Sequence, residues 1–188
     1  MVNEFCTDSD LILTVDSDDN FVSYEKKILV HEKGLLHRAF SLFVFNDDFS
    51  KMLLQRRALG KYHSGGLWSN ACCGHFNSND DVVNDVDVVK RRTFEELGVL
   101  FDDVKKFGVM HYCEDVGGGL CENEIDHLYY SVYKEGVDWN VNKSEVMDVK
   151  WIDVKDVLSS DFDFYCYTIW FKKAVLGGFL NCFVELDK

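Results

Sequence analysis

The chain has no proline in its 188 residues. One class of turn marker is therefore missing, and turns must be read from glycine, asparagine and aspartate. No physical reason for the absence is evident. Long apolar runs are lacking too: Ala39 to Phe45 and Ala174 to Leu180 are broken by polar residues or glycine and fall well short of the roughly 20 residues that cross a bilayer. Positive charge is scarce, with 20 basic against 33 acidic side chains and a formal charge of -13. Such a surface repels nucleic-acid phosphates and anionic lipid heads, so neither nucleic acid nor membrane is expected as a partner, and any phosphate ligand must be held locally. The seven cysteines, at positions 6, 72, 73, 113, 121, 166 and 182, form no CxxC pair and are odd in number, and MVNEFCTDSD is not a charged-then-apolar leader. A reducing, cytoplasmic setting is expected.

The length fits one domain with a sizeable core, taken as residues 1–188 with the N-terminal ~20 peripheral. Leu11 to Val15, Ala39 to Phe45 and Lys51 to Gln55 read as strands. Asn46-Asp47-Asp48 joins the last two as a hairpin that delivers Arg56 and Arg57 at its end. Further strands are predicted at Val104 to Tyr112, His127 to Tyr133 and Val146 to Ile152. Asp80 can cap a helix on which Val82, Val86, Val89, Thr93 and Leu97 recur at helical spacing and which Gly98 ends. A last helix is predicted over Tyr165 to Val175, capped by Asp161 or Asp163. The order of strands, helix, strands, helix describes a mixed α+β fold.

Several segments carry residues able to do chemistry. His31 and His37 are too far apart in sequence for one helical turn but can be gathered by a loop. Cys73-Gly74-His75 sets a thiol and an imidazole about a glycine, and Glu122-Asn123-Glu124 puts two carboxylates on one side of an extended chain. Taken together, these imidazoles and carboxylates are N and O ligands suited to a divalent metal. The remaining cysteines, Cys72, Cys113, Cys121, Cys166 and Cys182, read as small buried residues. Basic residues gather at Arg56, Arg57 and Lys61 and again at Lys90, Arg91 and Arg92, two clusters that can converge on a diphosphate. Arg92 and Glu96 share a helix face and form either a surface ion pair or part of a site.

The strings LLHRAFS at 35–41, RRAL at 56–59, LWSNACCGH at 67–75, RR-x-x-EELG at 91–98, ENE at 122–124 and EVMD-x-x-W at 145–151 occur together in the order seen in one family. The chain resembles the type 1 isopentenyl-diphosphate delta-isomerases. The resemblance implies a Nudix-like fold, mixed β-sheets sandwiched between helices, and interconversion of isopentenyl and dimethylallyl diphosphate. It implies Cys73 and Glu124 as the acid-base pair, with Tyr112 assisting near Glu124. By the same resemblance His31, His37, His75, Glu122 and Glu124 hold a divalent metal, Mn2+, Zn2+ or Mg2+, while Glu96 holds an Mg2+ that bridges to the diphosphate. Arg57, Lys61, Arg92 and either Lys26 or Lys27 meet the phosphates, and Trp170 forms an aromatic wall. A small isoprenoid diphosphate is the expected partner, and the chain is expected to be a monomer or weak dimer. The Nudix box G-x5-E-x7-R-E-U-x-E-E-x-G-U is degenerate: Arg91 is retained, but Asn77, Val83 and Arg92 stand where Gly, Glu and Glu belong. That change disfavours the alternative, a Nudix pyrophosphohydrolase, which gathers metal with those carboxylates to activate water.

Overall fold

A computed structural model of the chain describes residues 11–80, 84–134 and 139–184. In these residues β3 (His37–Phe45) is the axis of one nine-stranded mixed sheet. On one side it runs parallel to β8 (Leu120–Val132), from His37 opposite Glu124 to Phe45 opposite Val132. On the other side three antiparallel strands share it in turn. These are β1 (Leu11–Val15) at His37, β6 (Cys72–His75) from Ala39 to Leu42, and β4 (Lys51–Arg57) at Val44 and Phe45. β2 (Phe21–Lys26) extends β1, β5 (Trp68–Asn70) and β9 (Val146–Asp153) flank β4, and β7 (Lys105–Gly117) flanks β8.

Alternation along β3 builds a core on each face. Phe40, Leu42 and Val44 pack with Val88, Val89 and Leu97 of α2 (Asp85–Leu97). Phe43 and Phe45 point the other way, into Trp170, Phe171, Ala174 and Val175 of α4 (Ile169–Leu176). Burying each large apolar side chain contributes about 1.5–3 kcal/mol, so both faces of the sheet need a helical cover, and the expected sandwich is present. Two short helices complete the described elements: α1 (Lys27–Lys33) and α3 (Val154–Val157), followed after α4 by one turn of 3-10 helix at Asn181–Phe183. No helix among the described residues is long and apolar enough to cross a membrane.

Several sequence expectations need correction. β1 is part of the core, with Ile12, Leu13 and Val15 buried, so residues 11–15 are not peripheral; residues 1–10 lie outside the described residues. Asp80 does not cap α2, because its carboxylate accepts from the Asn77 amide and from Arg91. The helix begins at Asp85, whose charge and that of Asp87 suit the positive end of the helix dipole; Val82 lies outside the described residues. The last helix starts at Ile169 rather than Tyr165, since Trp68 N–H donates to Cys166 O and Thr168 N–H to Trp68 O, which keeps 166–168 extended against β5. Asp163 accepts from the Tyr165 amide instead of capping a helix. Of the cysteines read as buried, only Cys72 is; Cys113, Cys166 and Cys182 are exposed and Cys121 is half-buried. β2, α1, β5 and β6 were not anticipated, and β7 and β8, at 13 residues each, run well past their predicted bounds.

α2 ends where Gly98 turns left-handed at φ 71, and a Cβ there would lie 2.6 Å from Asn140 O. Gly98→Ala should therefore lower the unfolding free energy by about 1–3 kcal/mol from backbone strain, more if Asn140 cannot shift, as read by urea denaturation.

Candidate active site

The period of two along a strand sends His37 and Ser41 of β3, Cys73 and His75 of β6, and Glu122, Glu124 and Asp126 of β8 to the same side of the sheet. Register then sets their neighbours. His37 lies opposite Glu124, Ala39 lies between His75 and Asp126, and Ser41 lies opposite Cys73. His31 arrives from α1, whose end at Gly34 (φ 58) turns the chain directly into β3. The two histidines are thus joined by a helix, a left-handed turn and a strand rather than by an open loop.

His31, His37, His75 and Glu122 each offer one donor atom, and these atoms all lie within 4.8 Å of one another. Nδ1–H of His31 donates to Lys27 O at 2.6 Å and Nδ1–H of His37 to Leu35 O at 2.8 Å. Because a carbonyl only accepts, this tautomer turns both Nε2 atoms inward. Glu122 Oε2 stands 3.2 Å from His31 Nε2, 3.4 Å from His37 Nε2 and 3.9 Å from His75 Nε2. Glu124 Oε1 joins at 2.9 Å from His75 Nε2 and 3.5 Å from His37 Nε2. The buried atoms His37 Nε2 and Glu122 Oε2 have no hydrogen-bond partner, whereas the Tyr62 hydroxyl is 3.1 Å from His31 Nε2. Inward-facing imidazole nitrogens and a buried carboxylate with orphaned acceptors are what a divalent cation would satisfy, so these residues fit one.

The electrostatics show the same cluster attracting positive charge, whether a proton or a metal ion. Burial alone would depress the His37 imidazolium, but the facing Glu122 and Glu124 carboxylates outweigh it and raise its pKa to about 10. Burial likewise works against ionised Glu122, yet the facing His31, His37 and His63 imidazoles hold it well below the usual carboxylate range. Glu124 is pushed up to about 7 by burial and by the Glu122 charge. Its Oε2 accepts from the Tyr112 hydroxyl.

Beside this cluster opens a cavity of about 460 Å³, lined by Cys73, Glu124, Lys27, Arg57, Arg92 and Trp170 among others. Burial pushes the Cys73 thiol up to about 12, with Arg57 opposing, and Arg57 Nη1 lies 3.7 Å from its sulfur. The Arg57 guanidinium sits 5.1 Å from the Trp170 ring centre, and the indole N–H donates to Ser69 Oγ at 2.8 Å. Lys61 pairs with Glu145 and also lines the cavity. Lys27 lines it as well, and burial together with the Lys61 charge lowers its ammonium to about 8. Lys26 is exposed at the end of β2 and does not line the cavity. Glu96, 3% exposed, accepts from Arg92 at 2.6 Å and from Gln55 at 3.2 Å. The Arg92–Glu96 pair is therefore no surface ion pair, and one buried carboxylate facing a cavity is a typical Mg2+ ligand shared with phosphate oxygens. Tyr112 reaches the cavity only through Glu124.

Sequence reasoning missed Tyr62, His63 and Glu145, which line the same cavity. The signal available was their nearness to named residues: Tyr62 and His63 directly follow Lys61, and Glu145 opens the EVMD string.

The NUDIX domain model matches residues 35–167. An isopentenyl-diphosphate Delta-isomerase 2 from Aromatoleum aromaticum is 43% identical over 79% of this chain and 75% of its own length. The chain belongs to the isopentenyl-diphosphate Delta-isomerase family. A second member, from Photorhabdus laumondii, is 38% identical over 89% of this chain and 92% of its own. A solved MutT protein from Methanosarcina mazei matches with a TM-score of 0.59 at 16% identity, covering 81% of this chain and 96% of that one, which establishes the Nudix fold alone. The His/Glu cluster of this family member is one that a divalent cation would fit.

Protein stripped with a chelator and given Mn2+ at about 100 times its Kd should gain about 2.7 kcal/mol of stability. Glu122→Ala should lose most of that gain. Differential scanning calorimetry of the two proteins, with and without metal, reads it directly.

Proposed function

We propose that the chain interconverts isopentenyl diphosphate and dimethylallyl diphosphate by adding a proton to one carbon and removing one from its allylic neighbour. The observation that carries this reading is the pairing, in one cavity, of a thiol and a carboxylate from strands on opposite sides of β3, Cys73 on β6 and Glu124 on β8. An allylic shift needs two proton-transfer groups flanking the hydrocarbon. Cys73 keeps its proton at neutral pH, and Glu124 titrates near neutrality. The two therefore make a donor and an acceptor whose roles exchange with the direction of reaction. Tyr112 holds Glu124 through its hydroxyl.

Protonating an alkene builds tertiary carbocation character, which water would quench, so the hydrocarbon end must be dry. Trp170, 5% exposed, supplies an apolar wall. Its indole face contributes about 2 kcal/mol toward a desolvated cation, roughly thirtyfold in rate. Arg57, Lys61, Arg92 and Lys27 form the cationic side of the same cavity. They would engage the diphosphate, whose binding energy anchors the short hydrocarbon between the catalytic groups.

His31, His37, His75, Glu122 and Glu124 would hold one divalent ion, Mn2+ or Zn2+ or Mg2+, and Glu96 an Mg2+ shared with the diphosphate. When bound, these ions supply positive charge that favours ionised Glu124 and neutralises phosphate oxygens. Within this proposal the catalyst is a monomer or weak dimer in a reducing, cytoplasmic setting.

Cys73→Ala and Glu124→Gln should each lower isomerisation by about 100- to 10,000-fold while diphosphate binding changes little. Proton NMR of isopentenyl diphosphate in deuterated water should show deuterated dimethylallyl diphosphate with the parent protein only. Unchanged alkene, with phosphate released from nucleoside diphosphate derivatives, would overturn the reading in favour of a hydrolase. Trp170→Leu should cost roughly thirtyfold in turnover, measured in the same assay.

A further inference from the structure

The loop between β4 and β5 is pinched at its base, where Gly66 N–H donates to Arg57 O at 3.0 Å and Arg57 N–H to Leu67 O at 2.9 Å. It carries Lys61, Tyr62 and His63 back over the His/Glu cluster. His63 is 7% exposed, and its Nε2 lies 2.8 Å from Glu122 Oε1. An ionised carboxylate only accepts, so Nε2–H is the donor, and the neutral ring then offers its Nδ1 lone pair to the Ser64 hydroxyl at 3.1 Å. Ser64 takes up a left-handed φ of 52 at this point, a conformation that a residue with a Cβ adopts only under local constraint.

The two oxygens of Glu122 thus have different surroundings. Oε1 is tied to His63, while Oε2 has no hydrogen-bond partner and faces the Nε2 atoms of His31, His37 and His75. His63 also differs from those three imidazoles. Both of its nitrogens are engaged, by Glu122 and Ser64, so it has no inward lone pair to give a cation. Its ring stands edge-on to Trp170 at 6.0 Å and to Tyr62 at 4.3 Å, so rotation of the imidazole is blocked by the cavity wall.

We propose that His63 is a positioning residue for the metal-binding carboxylate: by holding Glu122 Oε1 it turns Oε2 alone toward the imidazole cluster. An unheld carboxylate would be free to rotate and spread its charge between His63's side and the cluster, at a cost in affinity. Partners of metal-ligating carboxylates commonly matter in this way, with a loss of about 10- to 100-fold in metal affinity when they are removed. The inference rests on the reading that the His/Glu cluster holds a divalent cation.

The test is titration of chelator-stripped protein with Mn2+, followed by calorimetry, and with Co2+, followed by its visible absorption. His63→Ala should weaken binding by about 10- to 100-fold. His63→Gln, whose amide N–H can donate to the same oxygen, should recover most of the loss. Circular dichroism of the metal-free variants checks folding, and His63→Leu, which keeps the bulk without the donor, replaces the alanine variant if that one does not fold. Equal Mn2+ affinity in parent and donor-less variants would make His63 an ordinary core imidazole and overturn the proposal. Glutamine as weak as alanine, with a changed Co2+ spectrum, would make His63 a direct ligand and overturn it equally. Failure of the parent protein to bind either metal would instead sink the metal reading itself, so the two failures are distinguishable.

Discussion

The parallel pairing of β3 with β8 is the constraint on which the site depends. Its register sets His37 opposite Glu124, and because side chains alternate, a slip of one residue would turn Glu122, Glu124 and Asp126 toward α2 and bring Asn123, Ile125 and His127 in their place. Such a slip is opposed from both faces. Ile125 and Tyr129 are buried in the core under α2, and Leu128 is buried in the core under α4. Apolar packing therefore decides where the carboxylates go. Once there they have little choice of partner, since an ionised carboxylate left buried and unpaired costs several kcal/mol. Among the described residues their partners are the imidazoles delivered by α1, β3, β6 and the β4–β5 loop, the Tyr112 hydroxyl on Glu124 and the Ser41 hydroxyl on Asp126.

The cationic side of the cavity solves a second problem. A chain with a formal charge of -13 repels a diphosphate at long range, but ionic screening limits that repulsion to about 8 Å at physiological salt. Closer in, the acidic excess disappears, because Lys27, Arg57, Lys61, Arg91 and Arg92 line one cavity with an equal number of glutamates. Among these cations, Lys61 and Arg92 do not wait unpaired. Lys61 is bound to Glu145, which also lies 4.0 Å from Arg92, and Arg92 reaches Glu96. Internal carboxylates thus hold Lys61 and Arg92 in place, and phosphate oxygens in the proposed complex would compete for charges already oriented.

The elements legible in the sequence were those with a sustained period or a dense motif. The hairpin of β3 and β4 and the body of α2 stand out because alternation and helical recurrence extend over many residues. What escaped was short or set by tertiary context. α1 spans Lys27–Lys33, too few residues for a helix that is stable by itself, and it persists because Val30 and His31 are buried against the sheet. β5 and β6 have three and four residues and exist as strands only through β4 and β3. Of the site, the strings carrying Cys73, His75, Glu122 and Glu124 were readable, but His63 was not, since nothing in Tyr62-His63-Ser64 reveals that the loop folds back over β8. Asp80 shows the converse error: a residue of the right type at a plausible helix start was used by Asn77 and Arg91 instead.

The same geometry explains how a Nudix scaffold can retain a diphosphate rather than cleave it. In the degenerate box Arg92 stands at a glutamate position, and the structure gives that exchange a consequence. Glu95 is exposed and engaged by Arg91 and Arg92, while Glu96 is buried and turned toward the cavity. Val83, at another box position, lies outside the described residues. Helix α2 therefore presents its two acids to the cavity already paired with two arginines, which leaves fewer free ligands for metal-activated water and adds donors for phosphate oxygens. Metal-ligating capacity is concentrated instead on β8 and its imidazoles, beside Cys73 and under Trp170, where a hydrocarbon rather than a phosphorus centre would lie. The shared fold leaves the chemistry open; the positions of these few acids and bases direct it toward the carbon end of the substrate.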